Sequence, residues 1–132
     1  MDEWLAELEA AVTGLLWLSE SEASLSVVVW EDVCGDDLTL ERVLALTHHG
    51  TDTPIEQVEF EGCWAPMVRS QPWHGPEEQA QVTRFQAVVK LLQTHLNDLR
   101  VYRIGHLQIQ LYTLGETAHH QVVGIQTQVI ET

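Results

Sequence analysis

Near Arg100 the hydrophobic period of the chain changes. Before it, Phe85, Val88, Val89, Leu92 and Leu96 recur at helical spacing, the strongest amphipathic pattern in the sequence. Pro76 suits the first turn of that helix, because its missing N–H would have no partner there. After Arg100, "HLQIQLYTL" alternates, with Leu107, Ile109 and Leu111 on one side and glutamines on the other. Val122 to Ile130 alternates again through Val123, Ile125, Thr127 and Val129, and "GETAHH" supplies the connection of a β-hairpin. A long one-faced helix next to half-buried strands must pack on them. The pattern therefore predicts an α+β domain, with a small, mainly antiparallel sheet covered by the first and last helices.

The rest of the chain fits that frame. Trp4, Leu8, Ala11, Val12, Leu15 and Leu16 have helical spacing. Leu25 to Trp30 is short and rich in valine, which predicts a strand buried on both faces. Thr39 suits the cap of a helix running through Val43 and Leu46 to about His48, with Gly50 as a left-handed stop. Ile55, Val58 and Phe60 suggest a second, less regular strand, and the segment from Glu61 to Arg69 is ambiguous, with a helical turn around Trp64 and Met67. "SQPWHGPEE" is loop chemistry. With no repeat or composition break, residues 1–132 are expected to form one domain, a size that buries a core without metal or disulfide staples.

Charge narrows the choice of partner. Twenty acidic residues stand against six basic ones, for a net charge of −14, and no lysine or arginine precedes Arg42. Direct binding to nucleic acid is excluded on this balance, since that contact runs on lysines and arginines neutralising phosphates. A basic protein partner is favoured instead. The acidic start, "MDEWLAELEA", is unlike a basic secretory signal, and no apolar stretch reaches membrane-spanning length, so a cytoplasmic location is expected. Cys34 and Cys63 lie far apart without metal or redox spacing, which points to free thiols.

Catalytic signals are weak. The pairs His48-His49 and His119-His120 lack the spacing that puts two ligands on one helical face. No nucleophile elbow, phosphate-binding loop or dinucleotide glycine pattern occurs, so neither an enzyme nor a cofactor is expected. A hydrolase using the histidines would have to lose turnover on substitution of His48 or His119. Trp4, Trp17, Trp30 and Trp64 fall within apolar patterns, whereas Trp73 sits in "QPWHG" between two prolines. It is either folded under its loop or an exposed anchor of the kind that dominates interfaces.

Two further features bear on function. "SESE", Ser19 to Glu22, interrupts two apolar runs, either as a helix stop with solvated carboxylates or as a device that raises them. The last predicted strand leaves only Glu131 and Thr132 beyond it, so the terminal hydroxyl and carboxylate are expected to be held rather than frayed.

The segments "GLLWLSESE" (Gly14 to Glu22), "VWE" (Val29 to Glu31), "VYRIG" (Val101 to Gly105), "GET" (Gly115 to Thr117) and the terminal "ET" resemble the nuclease A inhibitor family, first known from cyanobacteria. "HG" at His49-Gly50 and the loop tryptophan extend the resemblance over nearly the whole chain. It implies an α/β/α sandwich that inhibits a non-specific, magnesium-dependent DNA/RNA endonuclease of the ββα-metal class. The implied protein is non-enzymatic, needs no cofactor and is monomeric when free. In that family the first glutamate of the turn enters the nuclease active site, and the C-terminal threonine reaches the nuclease's magnesium. Those roles fall on Glu20 and Thr132, with Trp73 as a second contact and Glu22 and Glu131 as supporting charges. The family position before the tryptophan is acidic where this chain has Pro72. The alternative is a regulatory module of the same fold that binds a different basic protein.

Overall fold

The computed structural model describes residues 3–131. Four helices and two sheets follow in the order α1 (Glu3–Val12), β1 (Leu16–Leu18), β2 (Glu22–Ser24), β3 (Ser26–Trp30), α2 (Leu40–Leu46), β4 (Ile55–Val58), α3 (Phe60–Val68), α4 (Pro76–His95), β5 (Asn97–His106), β6 (Gln108–Glu116) and β7 (Val122–Ile130). The larger sheet has the order β3-β7-β6-β5-β4 and is antiparallel throughout, while β1 and β2 form a separate hairpin. Alternation along β5 to β7 puts Val101, Ile109, Leu111, Val123, Ile125 and Val129 on one face, in a core with α1, α3 and α4. Tyr102, Ile104, Leu114 and Val122 face the other way, against Val43 and Leu44 of α2. The result is the expected α/β/α sandwich, with its antiparallel sheet between helical layers.

Local signals account for the helix ends. Thr39 caps α2 by accepting a hydrogen bond from the Arg42 amide at 3.1 Å. Pro76 opens α4, and Glu78 reaches back to accept from the Gly75 amide at 3.0 Å. At the far end of α1, Gly14 adopts φ +76°, a left-handed conformation that turns the chain out of the helix. Arg84 of α4 donates to the exposed carbonyls of Ala11 (3.0 Å) and Thr13, adding a cation where the α1 dipole ends negative.

Several sequence expectations are corrected. The helical spacing from Val12 to Leu16 is coincidental, because Gly14 ends α1 and Leu16 starts β1. The ambiguous segment is a full helix, α3, and Phe60 begins it rather than ending β4. His48, at φ +62°, takes the left-handed position expected of Gly50. The valine-rich β3 is an edge strand, with Val29 exposed. Leu107 lies outside the alternating face: it forms the β5–β6 turn at φ +66° and is 51% exposed.

Candidate functional site

Ser19, Glu20 and Ser21 form the tip of the β1–β2 hairpin, where Leu18 pairs with Glu22. The tip closes on itself. The Ser19 amide donates to the Ser21 carbonyl at 2.9 Å, and the Ser19 hydroxyl also donates to that carbonyl at 3.3 Å. A second set of contacts fixes the hairpin to the large sheet. The Ile130 amide of β7 donates to Ser19 Oγ at 3.1 Å, across 111 residues of sequence. One hairpin strand away, the Thr127 hydroxyl donates to the Ser24 carbonyl at 2.9 Å. The acidic turn and the end of the last strand are therefore one hydrogen-bonded unit.

That unit continues into the chain end. The Glu131 amide donates to the carbonyl of Leu107 at 2.8 Å, so backbone order extends past β7 to the last described residue. Thr132, for which the sequence suggests a metal contact, lies outside the described residues. The Glu131 carboxylate pairs with Arg103, whose Nε also meets Glu56 at 3.2 Å. Glu131 is thus a clamped carboxylate, where the sequence suggested a supporting charge. Glu20 and Glu22 are both solvent-exposed.

Exposed apolar side chains accompany the acids. Leu18, at the hairpin tip, is 53% exposed, and Leu107 lies where the Glu131 amide is held. Trp73 is 73% exposed in the loop between α3 and α4. Its ring meets His74 edge-on at 4.3 Å, and the Gln71 amide donates to His74 Nδ1 at 3.1 Å. Of the two readings the sequence left open, Trp73 is the exposed one. Its described ring contact is with its own loop, and none joins it to the hairpin tip.

Two other tryptophans build the support. Trp17 of β1 packs edge-on against Trp64 of α3 (5.0 Å) and Phe85 of α4 (5.9 Å). Trp64 Nε1 donates to the buried Thr113 hydroxyl of β6 at 2.9 Å. The hairpin is thereby held by edge-packed aromatics at Trp17 and by Ser19 at its tip.

Groups suggestive of other chemistry are dispersed. Among the described residues, no three His, Cys, Asp or Glu side chains gather as a metal site. His49 Nδ1 bonds the Thr47 hydroxyl at 2.7 Å after α2, and His120 approaches Glu116 at 3.5 Å in the β6–β7 connection. Cys34 is exposed and Cys63 half-buried, both as free thiols. Burial pushes the Cys63 thiol above its ordinary range, and the Arg103 guanidinium draws it partly back. No helix among the described residues is long and apolar enough to cross a membrane.

Ser19 as a clasp, Arg103 as a clamp and the exposed Leu107 were not singled out from the sequence. A serine beside a glutamate carries no signal of a partner 111 residues away. A family model described as nuclease A inhibitor-like protein matches residues 2–132, essentially the whole chain. No curated protein matches it.

Proposed function

The chain belongs to the nuclease A inhibitor-like family, and on that premise we propose that it blocks the active site of a non-specific, magnesium-dependent DNA/RNA endonuclease of the ββα-metal class. Glu20 enters the active site. A nuclease site holds a phosphate between a hard cation and basic side chains, and a rigid carboxylate can take the phosphate's place. Thr132 supplies an oxygen to the nuclease's magnesium, an ion that favours oxygen ligands. Glu22 and Glu131 add negative charge around the contact, and Trp73 provides packing away from the metal.

The observation that carries this reading is the hydrogen bond from the Ile130 amide to Ser19 Oγ. It ties the turn bearing Glu20 to the end of the last strand at Ile130, which supports reading the turn as a preorganised element. Preorganisation matters because an inhibitor that orders its contact loops only on binding loses affinity to that ordering. The strong negative charge suits a partner whose surface is built to bind DNA.

The test is DNA degradation by a ββα-metal nuclease in excess magnesium, titrated with the protein and with two variants, Glu20→Ala and a chain lacking Thr132. Stoichiometric inhibition by the parent is expected, weakened at least about a hundredfold by Glu20→Ala, the scale for losing a charge-assisted contact in a desolvated site. Inhibition by both variants unchanged from the parent would refute the active-site mechanism. Inhibition by none would favour the regulatory module that binds another basic protein.

A further inference from the structure

A groove of about 530 Å³ runs along the sheet between the β1–β2 hairpin and α3 and opens beside Ser19 and Glu131. Its floor is apolar, with Leu111 and Val129 below and Trp17 and Met67 at the sides. Its rim is acidic. Glu56, Glu59 and Glu131 stand around it against one guanidinium, Arg103, which is already engaged by Glu56 and Glu131.

On its α3 side the groove is lined by Cys63 and Met67 and by Gly62 and Pro66, which lie about one helical turn apart. Glycine inside a helix is less stable there than alanine. A Cβ built on Gly62 meets nothing within 4 Å, so no neighbour within the molecule requires glycine there. Pro66 has no N–H, so it cannot give the Gly62 carbonyl its regular helical hydrogen bond. Gly62 leaves that side without a side chain at its own position, and its carbonyl lacks the donor that residue 66 would supply in a regular helix. Both features weaken α3 locally, and both suit a hydrogen-bond donor arriving from outside.

We propose that this groove receives a long basic side chain, arginine or lysine, from the protein partner. The inference rests on the reading above that a basic protein docks at this end, and it adds a second anchor beside Glu20. The methylene stem lies on the apolar floor, as such stems do along hydrophobic surface, while the charged head meets the rim carboxylates and the Gly62 carbonyl. Gly62 leaves the width that the stem needs.

Two measurements test it. Gly62→Trp fills the groove from its open wall, and Gly62→Ala makes the same backbone change without filling it. Both should keep or raise the thermal midpoint. Binding to a ββα-metal nuclease, read by calorimetry, should weaken at least about tenfold for Gly62→Trp and stay within about twofold for Gly62→Ala. Independently of any nuclease, Cys63 lines the groove and Cys34 does not. A millimolar tri-arginine peptide should therefore slow alkylation of Cys63 and leave Cys34 unchanged, and Gly62→Trp should abolish the difference. Parent-like nuclease binding by Gly62→Trp overturns the proposal, as does unslowed alkylation of Cys63. Protection of Cys63 in a protein that binds no nuclease would retract the nuclease assignment and leave the groove standing.

Discussion

Ser19 does three things with one hydroxyl. It donates to the Ser21 carbonyl, accepts weakly from the Ser21 amide at 3.4 Å, and accepts from the Ile130 amide at 3.1 Å. The residue is exposed, so water can replace part of what is lost on its removal. Ser19→Ala is therefore expected to cost only about 0.5–1 kcal/mol of stability, the lower range for a single hydrogen bond. Its effect on inhibition should be larger than that cost implies, because in the proposed mechanism the turn it braces carries Glu20. A loss of about threefold to tenfold is expected, together with faster hydrogen exchange at the Ile130 amide. In a Glu20→Ala background the same substitution should do nothing further, since groups acting as one unit are not additive. Inhibition constants for the two single variants and the double variant check this. Additive losses would show that Ser19 acts independently of Glu20.

Among the elements, the hairpin is held by a wall of aromatic side chains. Trp64 is central, 2% exposed, touching Trp17 and Phe85 and donating to Thr113. Trp64→Phe keeps much of the ring contact but leaves the Thr113 hydroxyl buried without that donor. The expected cost is about 1–3 kcal/mol, the penalty of an unsatisfied buried polar group, seen as a lower denaturant midpoint. Because the variant touches nothing at the hairpin tip, the inhibition constant of the folded fraction should not move. A shift in that constant would mean that aromatic packing sets the pose of the hairpin as well as its stability.

The same elements explain what the sequence disclosed. α4, β6 and β7 are long and bury one face, so their periods are written in the residues. β1 and β2 have three residues each, too few to show a period, and Leu16 falls at helical spacing from Val12. β3 looks doubly buried because valine marks a strand well, but whether a strand is central or at the edge depends on strand order, which is tertiary. Leu107 keeps the alternation of its neighbours while belonging to the turn. At the site, the charged turn and the loop tryptophan stood out from their own residues, and a resemblance supplied their roles. The Ser19–Ile130 and Arg103–Glu131 pairs did not, since each joins segments that only the folded sheet brings together. The Gly62–Pro66 pair was not singled out either, since a glycine and a proline in an apolar run do not show which groove they line.

At the scale of the whole molecule, the net charge of −14 does work that no one contact can do. A field of that size acts before contact, drawing a basic partner in and orienting it, and it is screened over about 10 Å at 0.1 M salt. In the proposed mechanism, short-range contacts at the hairpin tip, in the groove and at Trp73 act after docking, where water has been excluded and screening is weaker. The two kinds of interaction should therefore separate kinetically. Association with a ββα-metal nuclease is expected to slow by about tenfold or more between roughly 0.05 and 0.5 M salt, while dissociation changes little. Glu20→Gln should show the reverse pattern. It removes one of many charges, so association falls only slightly, but it removes the desolvated carboxylate, so dissociation accelerates strongly. Stopped-flow association and dissociation rates for the parent and this variant, across salt, decide the matter. If Glu20→Gln slowed association without speeding dissociation, Glu20 would be one more contributor to the field, and active-site occupation would have to be assigned elsewhere on the acidic end.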